Sequence, residues 1–114
     1  MKTLLLLFLS STLTFSALAQ DQTTSDQVKE WVVEHSKKGG TIDFFSSIKG
    51  IENDVIQTAE GDFNTNLGLA LYNWGMAVKE AGVVSLDDAL ALYQQIKGAD
   101  LSENEVKNIT KGFN

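Results

Sequence analysis

The chain has 114 residues, with 15 aspartates and glutamates against nine lysines and no arginine, cysteine or proline. A net charge of −6 without one guanidinium argues against nucleic acid and anionic membranes as partners, because phosphate recognition leans on basic patches and forked donors. The lack of cysteine excludes disulfides and thiolate metal sites, so a single hydrophobic core must hold the fold.

The first residues, MKTLLLLFLSSTLTFSALA, join a charged start at Lys2, an apolar stretch and small residues at Ala17 and Ala19. That pattern is a secretory signal peptide cleaved after Ala19. Its longest uninterrupted apolar run, Leu4 to Leu9, is six residues, far short of the ~20 that a spanning helix needs. The expected organisation is a cleavable leader over 1–19, a polar tail over 20–24 with nothing to bury, and one helical domain over 25–114. Export to the periplasm or beyond follows, with no stable membrane insertion after cleavage, and the loss of Lys2 leaves the remainder more acidic still.

From residue 25 onward apolar residues recur at helical spacing, and the chain reads as an all-α bundle of about five helices. The first helix runs from about Ser25 to Lys38, with Val28, Trp31, Val32 and His35 on one face and Gly39 as a left-handed stop. The second opens at Thr41. Its stripe of Phe44, Ile48, Ile51, Val55 and Ala59 keeps phase through Gly50, which predicts one long helix.

The third helix, about Asn64 to Ala81, carries Gly68 and Gly75 inside a heptad-spaced glycine series that also includes Gly61 and Gly82. Interior glycine costs roughly 1 kcal/mol against alanine, so its presence there needs a reason. On a helical wheel Phe63, Leu67, Leu71, Trp74 and Val78 form the main stripe, the glycines lie beside it, and Leu69, Tyr72 and Met76 lie beyond them. Such a helix should be central and largely buried, with Gly68 and Gly75 admitting a neighbouring helix closer than the usual distance of about 8–10 Å. The alternative is an apolar pocket lined by Gly68, Tyr72, Gly75 and Met76.

The fourth helix starts at the Ser85 cap, with Asp88 placed to close a capping box, and stops at Gly98; its face is Leu86, Ala89, Leu90, Tyr93 and Ile96. The fifth has Ser102 as cap, Glu105 three residues on and Leu101 placed to staple against Val106, with Ile109 and Phe113 continuing the face. Short connections predict that successive helices pack as neighbours.

Three segments approach known chemistry and depart from it in spacing. DFNTNLG, from Asp62, places oxygen ligands as an EF-hand calcium loop does, but Leu67 stands where glycine makes the turn and Asn73 replaces the bidentate glutamate. GVVSLDDAL, from Gly82, is similar to the serine-bearing turn of acyl carrier proteins, yet Val84 replaces the aspartate expected before Ser85, which reads as a helix cap. His35, the only histidine, has neither a nucleophile elbow nor co-ligands for zinc, and reads as a core histidine bonded to a neighbour. Asn108-Ile109-Thr110 is a glycosylation triplet in a eukaryotic host.

No catalytic residue, metal site or cofactor is expected. The leading function is non-enzymatic protein binding in an inhibitor, immunity-type or adaptor role, in which acidic helix faces carrying Asp87, Asp88, Glu103 and Glu105 meet a basic protein. The alternative is carriage of a small apolar ligand or lipid in the pocket beside the glycines.

Overall fold

The computed structural model describes residues 23–114; the segment expected to be a cleavable leader, with Ala17 and Ala19, lies outside the described residues. Four α-helices and a two-stranded antiparallel hairpin make up the fold: α1 (Asp26–Ser36), a 3-10 turn (Ser46–Ile48), β1 (Val55–Gln57), β2 (Phe63–Thr65), α2 (Asn66–Ala81), α3 (Leu86–Lys97) and α4 (Glu103–Phe113). The described residues are therefore mostly helical, with four helices and a small sheet in place of the expected bundle of about five helices.

The helix ends form for local reasons. Ser25, Thr65, Ser85 and Ser102 each accept the backbone N–H three residues on, capping α1, α2, α3 and α4. At Ser102 the box is reciprocal, with Glu105 accepting the cap's own N–H at 2.7 Å. At α3 it is one-sided: Ser85 accepts from Asp88 N–H. Gly82 and Gly98 end α2 and α3 in left-handed conformations.

The segment expected as the second helix is instead the 3-10 turn, a loop and the hairpin. The stripe Phe44, Ile48, Ile51, Val55 and Ala59 kept helical phase, yet the backbone turns left-handed at Gly50, with φ +91°, and again at Gly61, with φ +92°. Between those breaks β-branched Val55 and Ile56 suit a strand. Thr58 N–H donates to the Asp62 carbonyl and Gly61 N–H to the Thr58 carbonyl, closing a three-residue hairpin loop with glycine at its left-handed position. Upstream, Asp43 accepts from the N–H groups of Gly39, Phe45 and Ser46 and from the Ser46 hydroxyl, fixing a tight turn where a helix would have continued.

Cross-strand partners are Val55 and Thr65, Ile56 and Asn64, Gln57 and Phe63. Opposed residues share a face, so Val55, Gln57, Phe63 and Thr65 lie on one side and Ile56 and Asn64 on the other. Phe63, assigned from sequence to the apolar stripe of a helix, sits in a strand and is 73 % exposed. The loop before the hairpin serves α2: Asn66 N–H donates to the Asp54 carbonyl and Leu67 N–H to the Glu52 carbonyl, pairing two of the donors that a helix N-terminus leaves open.

The core gathers Val32 of α1, Leu71, Trp74 and Val78 of α2, Ala89, Leu92 and Tyr93 of α3, and Ile109 and Phe113 of α4 around α2. α2 packs most extensively on α4, its neighbour but one in sequence. It is central but not covered all round: Met76 is 40 % exposed and Leu69, Tyr72 and Asn73 are half-buried. The polar tail expected over 20–24 does bury something at its end, because Thr24 is 2 % exposed and its hydroxyl accepts the Val84 N–H at 2.9 Å.

Candidate functional site

Gly75 admits a helix, as its spacing suggests: a Cβ there would lie 2.6 Å from the Ile109 carbonyl oxygen and 3.1 Å from the Phe113 nitrogen. The partner glycine is Gly112 of α4, whose Cβ would collide with the Tyr72 carbonyl. Gly68 has a different reason. A Cβ at Gly68 would strike the side-chain amide of Asn64, so that glycine accommodates the hairpin rather than a helix. The space beside both glycines is thus filled by backbone and amide. Of the apolar pocket proposed from Gly68, Tyr72, Gly75 and Met76, Met76 lies open on the surface and Tyr72 lines a cleft of another character.

The four acidic residues singled out in the sequence do not form one face. Asp87 and Asp88 lie in the first turn of α3, and Glu103 follows its far end, about ten residues and ~15 Å along the helix. Asp87 and Glu103 are exposed, but Glu105 is 7 % exposed and engaged within the fold. Lys97 Nζ donates to its Oε1 at 2.6 Å, as does the Ser102 N–H at 2.7 Å. Burial alone would raise the Glu105 pKa; the lysine and the two Ser102 hydrogen bonds outweigh it and hold the carboxyl below its ordinary value. The same node acts on Tyr93, whose phenol is pushed up to about 12 by burial first and by the Glu105 charge second.

His35 is half-buried rather than a core residue. Its ring lies 4.3 Å from that of Trp31, centroid to centroid, and its Nδ1 is 3.2 Å from Thr41 Oγ1. Both aromatics border a wide, shallow groove along α1 that also includes Leu92 and Gln95. No cluster of three potential metal-ligating residues occurs among the described residues. Asn108 is buried, and its amide nitrogen donates to the Asn104 carbonyl at 2.8 Å, so the folded protein does not present it to a glycan.

A more enclosed cleft of about 670 Å³ opens between the hairpin, α2 and α4. Its floor is tied down by two amides: Asn64 Nδ2 donates to Asn108 Oδ1 at 2.9 Å, while Asn64 Oδ1 accepts the Thr65 N–H at 2.8 Å. α2 contributes Leu69, Tyr72 and Asn73 to the wall. Gln57 and Phe63 form the hairpin rim, with Gln57 Nε2 held on the Gly61 carbonyl at 3.1 Å and its oxygen left over. In the hairpin turn, Thr58 Oγ1 is screened from solvent and has no hydrogen-bond partner. Lys111 of α4 and Glu60 and Asp62 of the turn also border the cleft.

The sequence held a signal for this cleft. VIQTAEGDFNT sets β-branched Val55, Ile56 and Thr58 and then Phe63 and Thr65 on either side of a turn containing Gly61, which is consistent with a short hairpin. The helical phase of the neighbouring apolar residues masked it. Compared with protein-family models, with curated proteins and with solved structures, the chain finds no match.

Proposed function

We propose that this is an exported, non-enzymatic binding protein whose partner is a protein docked on the outer face of the hairpin. The observation that carries the reading is the pair Val55 and Phe63, 67 % and 73 % exposed and diagonal to one another on the same strand face. Ile51, just upstream, is exposed as well. Two large apolar side chains on one strand face leave apolar surface in water, and contiguous apolar surface marks contact sites more often than isolated exposed residues do.

The acidic balance of the chain gives the partner its expected sign. Asp87 and Glu103, exposed at the starts of α3 and α4, add long-range attraction for a basic surface rather than direct contact at the patch. Export rests on the leader pattern over residues 1–19. The non-enzymatic reading rests on the lone imidazole, which Trp31 stacks against and Thr41 meets at hydrogen-bonding distance.

The test is affinity capture from the native host, with the Val55→Lys and Phe63→Ser variants alongside. A specific protein should be retained by the unaltered chain and lost from both variants, with association slowing as salt rises. Equal capture by all three forms would remove the hairpin from the interface.

A further inference from the structure

We propose that the cleft beneath the hairpin is a binding site for a small, neutral, polyhydroxylated ligand, of the size and chemistry of a disaccharide. At about 670 Å³ it falls within the ~300–1,000 Å³ typical of small-molecule sites. The site adjoins the outer hairpin patch: Gln57 and Phe63 lie on the Val55 face of the hairpin and also border the cleft, whereas Tyr72 and Asn73 belong to the cleft alone.

The ligand class follows from which groups in the cleft are already engaged. Asn64 and Asn108 bond each other and the backbone, and so build the floor rather than contact a ligand. The Asn73 amide and the Tyr72 hydroxyl have no hydrogen-bond partner among the described residues, and Gln57 keeps its oxygen. An amide and a phenol each donate and accept. A ligand hydroxyl does both through one atom, so a ring bearing several hydroxyls can pair with all three side chains.

Other chemistries fit less well. An apolar ligand would bury Asn73 and Gln57 unpaired, which carries the desolvation cost of each amide with nothing in return. An anion would find Lys111, but two carboxylates, Glu60 and Asp62, border the same cleft. A metal ion lacks a cluster of ligating residues among those described.

A further observation points to a ligand: the Phe63 side chain, exposed where it borders the cleft, supplies an aromatic surface on which the C–H side of a sugar ring can pack.

The experiment is a titration of the 15N-labelled protein with maltose, cellobiose and N,N′-diacetylchitobiose, read by amide chemical shifts that include the Asn73 and Gln57 side-chain NH2 groups. Decanoate and inorganic phosphate are titrated in parallel. One disaccharide should give saturable shifts at Asn73, Tyr72 and Gln57. Asn73→Ala should then weaken binding at least tenfold and Tyr72→Phe severalfold, both with unchanged urea midpoints, while Val55→Lys binds the sugar normally.

Saturable cleft shifts with decanoate or phosphate alone would reassign the site to an apolar or anionic ligand and overturn the proposal. So would the absence of cleft shifts with every sugar, or sugar binding indifferent to Asn73→Ala. Loss of protein capture in Val55→Lys with sugar binding intact separates this site from the partner surface, so either reading can fail without the other.

Discussion

The indole N–H of Trp74 donates to Ser36 Oγ at 2.9 Å, and that hydroxyl donates onward to the Val32 carbonyl at 2.6 Å. Trp74 is fully buried at the centre of the core, and Ser36 is the last residue of α1, so one chain of two hydrogen bonds ties the first helix to the central one. Removing the hydroxyl strands a buried donor. Ser36→Ala should therefore cost about 1–3 kcal/mol, read as a lower urea midpoint at unchanged slope. In a Trp74→Phe background the same substitution should cost clearly less, since no indole is left to satisfy; equal costs in both backgrounds would deny the coupling.

At the α2–α4 crossing the backbones of Gly75 and Gly112 stand where no Cβ fits, against the Ile109 carbonyl on one side and the Tyr72 carbonyl on the other. Alanine at either position gains helix propensity of up to ~1 kcal/mol but forces the helices apart. Gly75→Ala and Gly112→Ala should each give a net loss of about 1–3 kcal/mol by urea unfolding. Stabilisation by either would mean that the crossing is looser than described.

Gly68 makes a different prediction because its obstacle is a side chain. Gly68→Ala should push the Asn64 amide off Asn108 and so destabilise the hairpin's seat on the helices. In an Asn64→Ala background that collision is absent. The same substitution there should be neutral or stabilising through helix propensity, which a double-mutant cycle of unfolding midpoints measures directly.

Acid should loosen both the α3–α4 corner at Glu105 and the turn built on Asp43. Glu105 and Asp43 both have folded-state pKa values held below their ordinary values of 4.5 and 3.8. In each case burial acts in the opposite direction and is outweighed, by Lys97 and Ser102 for Glu105 and by the Ser46, Gly39 and Phe45 donors for Asp43. A depressed carboxyl contributes stability that is present above its unfolded pKa and lost as pH falls through its folded one. Unfolding midpoints should fall as pH drops below those ordinary values, and Glu105→Gln should flatten that slope at the cost of lower stability near neutrality. An unaltered acid slope in Glu105→Gln would discount the Lys97 pair.

Alkali tests the same corner from the other side. The Tyr93 phenol titrates at about 12 when folded against 10.0 for the ordinary group, so the folded chain holds its proton more tightly than the unfolded one. Stability should decline as pH rises from the unfolded value through the folded value. Tyr93→Phe should lack that part of the decline, measured against the parent protein in the same buffers.

The start of α1 at Ser25, the caps of α3 and α4 at Ser85 and at Ser102 with Glu105, and the Gly98 stop of α3 were legible in the sequence because each depends on residues within one turn; the Thr65 cap of α2 was not, and α1 closes on the Lys37 cap, short of the expected stop at Gly39. The burial of Leu71, Trp74 and Val78 was legible too, because it follows from helical period alone. Asp87, Asp88 and Glu103 could be placed in first turns, but whether they share a surface depends on how α3 and α4 are joined.

Tertiary structure decided the path from Thr41 to Thr65, and with it the cleft, between two local signals, the hairpin turn at Glu60 to Asp62 and the helical phase of its neighbours. Ile51, Val55 and Ala59 carry the phase of a helix, and nothing local forbids one except the glycines. The extended path takes hold because its carbonyls meet donors that a helix would not have used: the Asp54 and Glu52 carbonyls take the first N–H groups of α2, and the Ile51 carbonyl takes the Asn66 side chain fifteen residues away. Gly75 predicted a close helix neighbour, but its identity as Gly112 of α4 depended on how the whole chain returns to α2. Periodicity and capping are properties of one turn of chain and survive in the sequence alone; the choice among distant partners is made where buried hydrogen bonds and backbone contacts must all be satisfied at once.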